Sequence, residues 1–200
     1  MFITLEGIDG CGKSTAVNII RDFLINCNYD VVTTSPVRET VVGCVVRKML
    51  IEQQFNRQTP NVKLMLMAAT HETCLEETIL PALAQGSVVI MDRYFPSLLA
   101  YQGDGALALE HADVLAATLP LDIVFYLNID IDISTERMLA RNVKLEDLEN
   151  VPRAEIELRK QRYTDIFKRY PAKRFFEIDA NKSLEEVKQQ IHETLASLIL

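Results

Sequence analysis

The chain has 200 residues and a mass of 22.7 kDa, with 48% hydrophobic and 24% charged side chains. That is enough to bury a core in one soluble domain, and it disfavours disordered, collagen-like and tandem-repeat architectures. Lys and Arg number 21 against 28 Asp and Glu, a formal charge of −7, so a nucleic acid would on average be repelled and a general DNA or RNA coat is disfavoured.

The charge is uneven. Residues 137 to 174 hold 11 Lys or Arg against 6 Asp or Glu, so an anion handled by this protein should meet that segment. Cys11, Cys27, Cys44 and Cys74 are far apart, with neither zinc-finger spacing nor a disulfide framework, which suits a reduced cytoplasmic setting. A secretory leader is not expected, nor is a membrane span, since no apolar stretch reaches roughly 18 residues.

In chain order, the apolar run at residues 1 to 5 is too short for a stable helix and ends in Glu6-Gly7, which predicts a buried strand entering a turn. Residues 14 to 24 carry Val17, Ile20, Phe23 and Leu24 at helical spacing. Further strands are expected at 29 to 34, 87 to 91, 122 to 128 and 175 to 178. Helices are expected at 39 to 54, 62 to 85, 105 to 117, 133 to 141, 152 to 170 and 183 to 200, the last opened by a Ser183 to Glu186 capping box. Strands alternating with helices imply an α/β fold with a parallel sheet covered on both faces. No linker or repeat divides the chain, so one domain spanning 1 to 200 is expected. Residues 142 to 150 are charged and lack an apolar stripe, as either a flap or a surface loop would.

Gly7-Ile8-Asp9-Gly10-Cys11-Gly12-Lys13-Ser14 fits G-x-x-x-x-G-K-S/T and falls between a buried strand and a helix, as a phosphate-binding P-loop does. Glycines at 7, 10 and 12 let successive N–H groups converge on an anion. Lys13 would reach the outer phosphates of a bound nucleotide, and Ser14, followed by Thr15, offers a hydroxyl to Mg²⁺. Cys11 is either a small loop filler or a thiol at a helix start. The strand at 88 to 91 ends in Asp92-Arg93-Tyr94, at the edge where parallel sheets bind ligands. There Asp92 could hold a metal through water and Arg93 could clamp a phosphate. Arg38 and Arg47 add two guanidiniums suited to phosphate, or are plain helix-surface arginines.

FITLEGIDGCGKST, SPVRETVVGCVVRKML, DRYFPSLLAYQG and FFEIDANKSLEEVKQQI, in that order over nearly the whole chain, resemble the thymidylate kinase family of P-loop nucleoside-monophosphate kinases. The resemblance implies a five-stranded parallel sheet with a short lid at about 141 to 152, ATP-Mg²⁺ as donor, dTMP as acceptor, a role in deoxynucleotide biosynthesis and a homodimer packed through helices. It further implies that Asp9 accepts the acceptor's 3′-OH and that Arg38 and Arg93 touch its phosphate. Tyr101 would stack on the deoxyribose and exclude a 2′-OH, with Ser97 and Gln102 lining the same pocket. The turn at 178 to 180 would pass the adenine of ATP, unless Asp179 is only a strand-end cap.

Two departures stand out. Where the family carries a Phe that stacks on thymine and, four residues on, an Arg that bonds its carbonyl, this chain has Met67 and His71. On one helix face, Met67 could still cover a ring and His71 could still donate to a carbonyl; otherwise His71 is an exposed helix histidine. Thymine is the first expectation, and a modified uracil or another base is the second. The lid arginine pattern is also altered, leaving Arg141 as the first candidate for the catalytic cation, with Lys144 and Arg153 behind it. The rival from another class is a P-loop switch protein, which would have no use for Asp9, Arg38, Arg93 and Tyr101.

Overall fold

Strands β1 (Phe2–Glu6), β2 (Val31–Thr34), β3 (Val88–Asp92), β4 (Ile123–Asn128) and β5 (Arg174–Asp179) pair in the order β2-β3-β1-β4-β5, every pair parallel. The computed structural model describes residues 1–103, 105–140 and 151–199. β1 is buried at all five positions, as its unbroken apolar run requires in the middle of a sheet covered on both faces. The helices are α1 (Lys13–Asn26), α2 (Val41–Ile51), α3 (Pro60–Cys74), α4 (Leu80–Ala84), α5 (Phe95–Gln102), α6 (Ala106–Thr118), α7 (Ile131–Ala140), α8 (Arg153–Arg169) and α9 (Leu184–Ile199).

The expected elements are present, with ends shifted by a few residues. The helix expected over 62 to 85 is interrupted by a π-helical turn at Leu75–Ile79 before α4. The capping box at α9 is formed: the Ser183 amide donates to Glu186 Oε2 at 3.0 Å, and the Glu186 amide donates to Ser183 Oγ at 3.4 Å. α5 was not expected. Phe95, Pro96, Ser97, Leu98, Leu99 and Ala100 are all buried in it, so it lacks the polar face that makes helical spacing visible in a sequence.

One core cluster runs from the sheet into the helices around it, with Tyr94, Tyr163, Phe95 and Phe125 among its largest fully buried side chains. Tyr94 packs edge-on to Phe2 and Phe95. Its hydroxyl lies 3.2 Å from the carbonyls of both Leu115 and Leu119, at the end of α6, and shares its one proton between them. This packing fixes the loop after β3 beside the loop after β1, and those two loops carry the chemistry.

Candidate active site

The P-loop leaves β1 and enters α1 through Gly12, whose φ of 99° is left-handed. A Cβ on Gly10 would run into the Ser134 carbonyl on α7, and one on Gly7 would stand 2.7 Å from the Leu127 carbonyl. The glycines are therefore required by close backbone approach as well as by φ. Lys13 is 7% exposed and folds over the loop, its Nζ donating to the carbonyls of Ile8 at 2.8 Å and Gly7 at 3.1 Å. Cys11 is buried with its Sγ 3.4 Å from that ammonium. α1 has no side-chain cap on its first turn and no acid there, which leaves its N-terminal N–H groups to an anion. Beside Gly12 and Thr15 lies a cavity of about 340 Å³, walled also by Arg137 and Lys182. Arg137 holds the turn after β5 by donating to the Ala180 carbonyl at 2.8 Å and the Lys182 carbonyl at 3.2 Å. Asp179 accepts from the Asn181 amide at 3.1 Å, so it does cap that turn.

Asp92, at the end of β3, meets the P-loop from the neighbouring strand. Its Oδ2 accepts from Ser14 Oγ at 3.3 Å, while its Oδ1 is buried with no hydrogen-bond partner. A carboxylate oxygen left bare beside a hydroxyl at the mouth of a phosphate loop fits Mg²⁺, which takes few protein ligands and completes its shell with water and phosphate oxygens. No cluster of three or more acidic, His or Cys side chains suited to a metal occurs among the described residues.

The next residue, Arg93, has φ of 75°, a left-handed conformation that costs a non-glycine residue free energy. What holds it there is a buried network. The Arg93 amide donates to the Leu5 carbonyl at 3.1 Å, and the Tyr94 amide donates to Glu6 Oε1 at 2.8 Å. Ser97 Oγ donates to Glu6 Oε2 at 2.5 Å and lies 2.7 Å from the Tyr163 hydroxyl of α8. Burial pushes the Glu6 carboxyl up to about 7, against the pull of Ser97, the Tyr94 amide, Arg93 and Lys13.

So anchored, the Arg93 guanidinium donates to Asp9 Oδ1 at 2.6 Å, the Gly7 carbonyl at 3.0 Å and Tyr101 Oη at 3.2 Å. Tyr101 in turn donates to Asp9 Oδ2 at 3.0 Å. Burial works against the charge of Asp9, but Arg93 and Lys13 overcome it and hold the carboxyl below its usual range. Asp9, Arg93 and Tyr101, which are far apart in the chain, thus form one cluster on the edge of the P-loop. They share with Ser97, Gln102, Met67 and His71 a cavity of about 410 Å³.

His71 is buried, 1% exposed, so the reading as an exposed helix histidine is corrected: α3 turns this face into the protein. Burial pushes its pKa down to about 4 and keeps the ring neutral. Its Nδ1 lies 2.8 Å from the Met67 carbonyl, which can only accept, so Nδ1 carries the proton and Nε2 carries a lone pair with no partner. In that tautomer Nε2 accepts; donation to a base carbonyl from Nε2 requires the other tautomer and the loss of the Met67 bond. Arg38 and Arg47 are both exposed; Ser35 and Pro36, in the turn that leads to Arg38, line the cavity. Arg141, Lys144 and most of the expected lid lie outside the described residues. Arg153 is exposed and paired with Asp132 and, at 3.1 Å, with Glu157.

Sequence reasoning missed Glu6, Tyr163 and Arg159. The acid ending an otherwise apolar strand was a visible signal for Glu6. Nothing in local pattern pointed α8 at the P-loop.

A parallel sheet with the P-loop after its central strand, an acid at the next strand's end, and an acid–arginine–tyrosine cluster facing the loop define a P-loop phosphotransferase with a second, acceptor-side cavity. The thymidylate kinase family model matches residues 5–191. "Thymidylate kinase" of Exiguobacterium sp. is 32% identical over 197 residues, covering 96% of this chain and 92% of that protein. The proteins of the same name from Thermoanaerobacter pseudethanolicus and Nostoc sp. are 32% and 31% identical, covering 95% and 98% of this chain and 94% and 95% of their own lengths. The chain belongs to the thymidylate kinase family, and it is a nucleoside-monophosphate kinase.

Proposed function

We propose that the chain transfers the γ-phosphoryl group of ATP to dTMP, releasing ADP and dTDP, as one kinase domain of the cytoplasm serving deoxynucleotide biosynthesis. The observation that carries this reading is the bonded cluster of Asp9, Arg93 and Tyr101 beside the P-loop: a nucleotide switch would need Lys13 and Ser14 but no acceptor-side set. No helix among the described residues is long and apolar enough to cross a membrane. The π-turned helix pair and α2 leave Val41, Val45, Ile51 and Met65 exposed, and this apolar surface supports a homodimer packed through helices.

In the mechanism, an oxygen of the acceptor phosphate forms a bond to the γ-phosphorus while the bond to the β–γ bridging oxygen breaks, and ADP leaves with the electron pair. The acceptor oxygen is already ionised, so neither a protein nucleophile nor a strong base is needed, and positioning and charge carry the catalysis. Lys13 exchanges its bonds to the Gly7 and Ile8 carbonyls for the outer phosphates of ATP. The Gly10, Cys11, Gly12, Lys13, Ser14 and Thr15 amides cradle them. Ser14 Oγ and Asp92 Oδ1 are the atoms that would hold Mg²⁺, whose chemistry when bound is to neutralise phosphate oxygens.

On the acceptor side Arg93 and Arg38 bind the phosphate and Asp9 the 3′-OH. Tyr101 packs on the sugar, and Met67 and His71 close the base pocket. Arg47 adds positive field from the surface, and Arg141 of the lid stands as a cation for the transferring group. An ADP-release assay with dTMP, dUMP, 5-substituted dUMP, dCMP, dGMP and thymidine tests the proposal. The expected result is highest kcat/KM for dTMP, and ATP hydrolysis that ignores every acceptor refutes it.

A further inference from the structure

Transfer of a phosphoryl group needs a cation on its equatorial oxygens besides the P-loop lysine, and α8 presents one where the acceptor cavity meets the edge of the P-loop. Arg159 has a side chain only 17% exposed, and its Cζ lies 4.4 Å from the centroid of the Tyr101 ring. Arg93 Cζ lies over the same ring at 4.7 Å, and Tyr101 bonds Asp9. Arg159 lines the acceptor cavity and also a second cavity, of about 820 Å³, walled by Ile8, Asp9 and Gly10 of the P-loop together with α7. Its Nε donates to Glu155 at 3.3 Å, one turn back on α8. Its two terminal nitrogens donate no hydrogen bond to any described residue, so both keep donors for a ligand.

Two neighbouring arginines among the described residues are otherwise engaged. Arg137 is committed to the carbonyls of Ala180 and Lys182, and the exposed Arg153 is paired with Asp132 and Glu157. Arg159 is instead held by the face of the Tyr101 ring and by the Glu155 carboxylate. A guanidinium fixed before the reaction costs little reorganisation when charge develops.

We propose that Arg159 is a catalytic residue, its terminal amino groups binding oxygens of the phosphoryl group in transit between ATP and the acceptor. The inference rests on the site assignment given under the proposed function. It is tested by steady-state kinetics on Arg159→Ala, Arg159→Met and Arg159→Lys, with Lys13→Ala and Arg93→Ala in parallel. The methionine keeps an apolar stem against Tyr101, so it stands in for the alanine variant should that one fail to fold. Arg159→Ala or Arg159→Met is expected to lower kcat by about 100-fold or more, with KM for either nucleotide changed less than about threefold and an unchanged melting temperature. Arg159→Lys should recover part of the loss, and free guanidinium should partly rescue Arg159→Ala. A kcat like that of the unchanged enzyme, or a rise in KM alone, overturns the inference. If Lys13→Ala and Arg93→Ala stay fully active, the site assignment itself falls. If they are impaired while the Arg159 variants are not, only the role of Arg159 falls.

Discussion

Replacing Glu6 by Gln removes a buried charge without changing shape, and its effect depends on pH with a calculable sign. The carboxyl titrates near 4.5 in an exposed chain and at about 7 in the fold, because burial outweighs the groups that bond it. The folded protein therefore binds more protons than the unfolded one between those values, and stability falls as pH rises through that window. The penalty is absent below about pH 4.5 and complete above about pH 7, where it reaches ~3 kcal/mol at about 1.4 kcal/mol per pH unit. Glu6→Gln lacks this titration. Its amide oxygen still accepts from the Tyr94 amide, and the Ser97 hydroxyl can turn to meet its NH₂ group. Urea unfolding of both proteins at pH 5 and pH 8 measures the difference. The stability of the variant relative to the parent should rise by about 2 to 3 kcal/mol between those two values. Parallel pH curves for the two proteins would refute the reasoning, since other titrating groups cancel in the comparison.

Gly10→Ala should cost ATP affinity and about 2 kcal/mol or more of stability, because its Cβ meets the Ser134 carbonyl at a left-handed φ of 78°; nucleotide titration and thermal melts check both. Tyr94→Phe should destabilise by about 1 kcal/mol, read by denaturant unfolding, since the hydroxyl bond that ties the loop after β3 to the end of α6 is lost while the Leu115 carbonyl keeps the Leu119 amide. Val45→Glu on the exposed face of α2 should shift a homodimer towards monomer in sedimentation analysis with little change in melting temperature, whereas an unchanged sedimentation coefficient would move the interface elsewhere.

The sheet and the P-loop were legible because their signals are local: an apolar run, a glycine pattern and a lysine at fixed spacing. The pairing of Asp92 with Ser14 was legible in type, as an acid at a strand end, though their 3.3 Å contact depends on β1 and β3 being neighbours. α5 was hidden because a helix buried nearly all round has no polar stripe to set its period. His71 was hidden in a different way. Helical spacing placed it on the face shared with Met67, but only burial and the Met67 carbonyl decide its proton and hence that Nε2 accepts. Arg159 carries no motif at all. It gains its place when α8 packs against α5, which brings its guanidinium over Tyr101 from far along the chain.

The central position of β1 bears on how the chain is made. Phe2 pairs with Val89, and Ile3 with Ile123, so β1 has no sheet neighbour on either side until Val88–Asp92 of β3 has been made. Contacts that close such long loops form slowly. Until Asn128 has emerged, the apolar segment Phe2–Glu6 has at least one open edge, the form most prone to pair with another chain. Nascent chains stalled before that residue should depend on chaperones, whereas those stalled beyond it can already enclose the nucleotide loop.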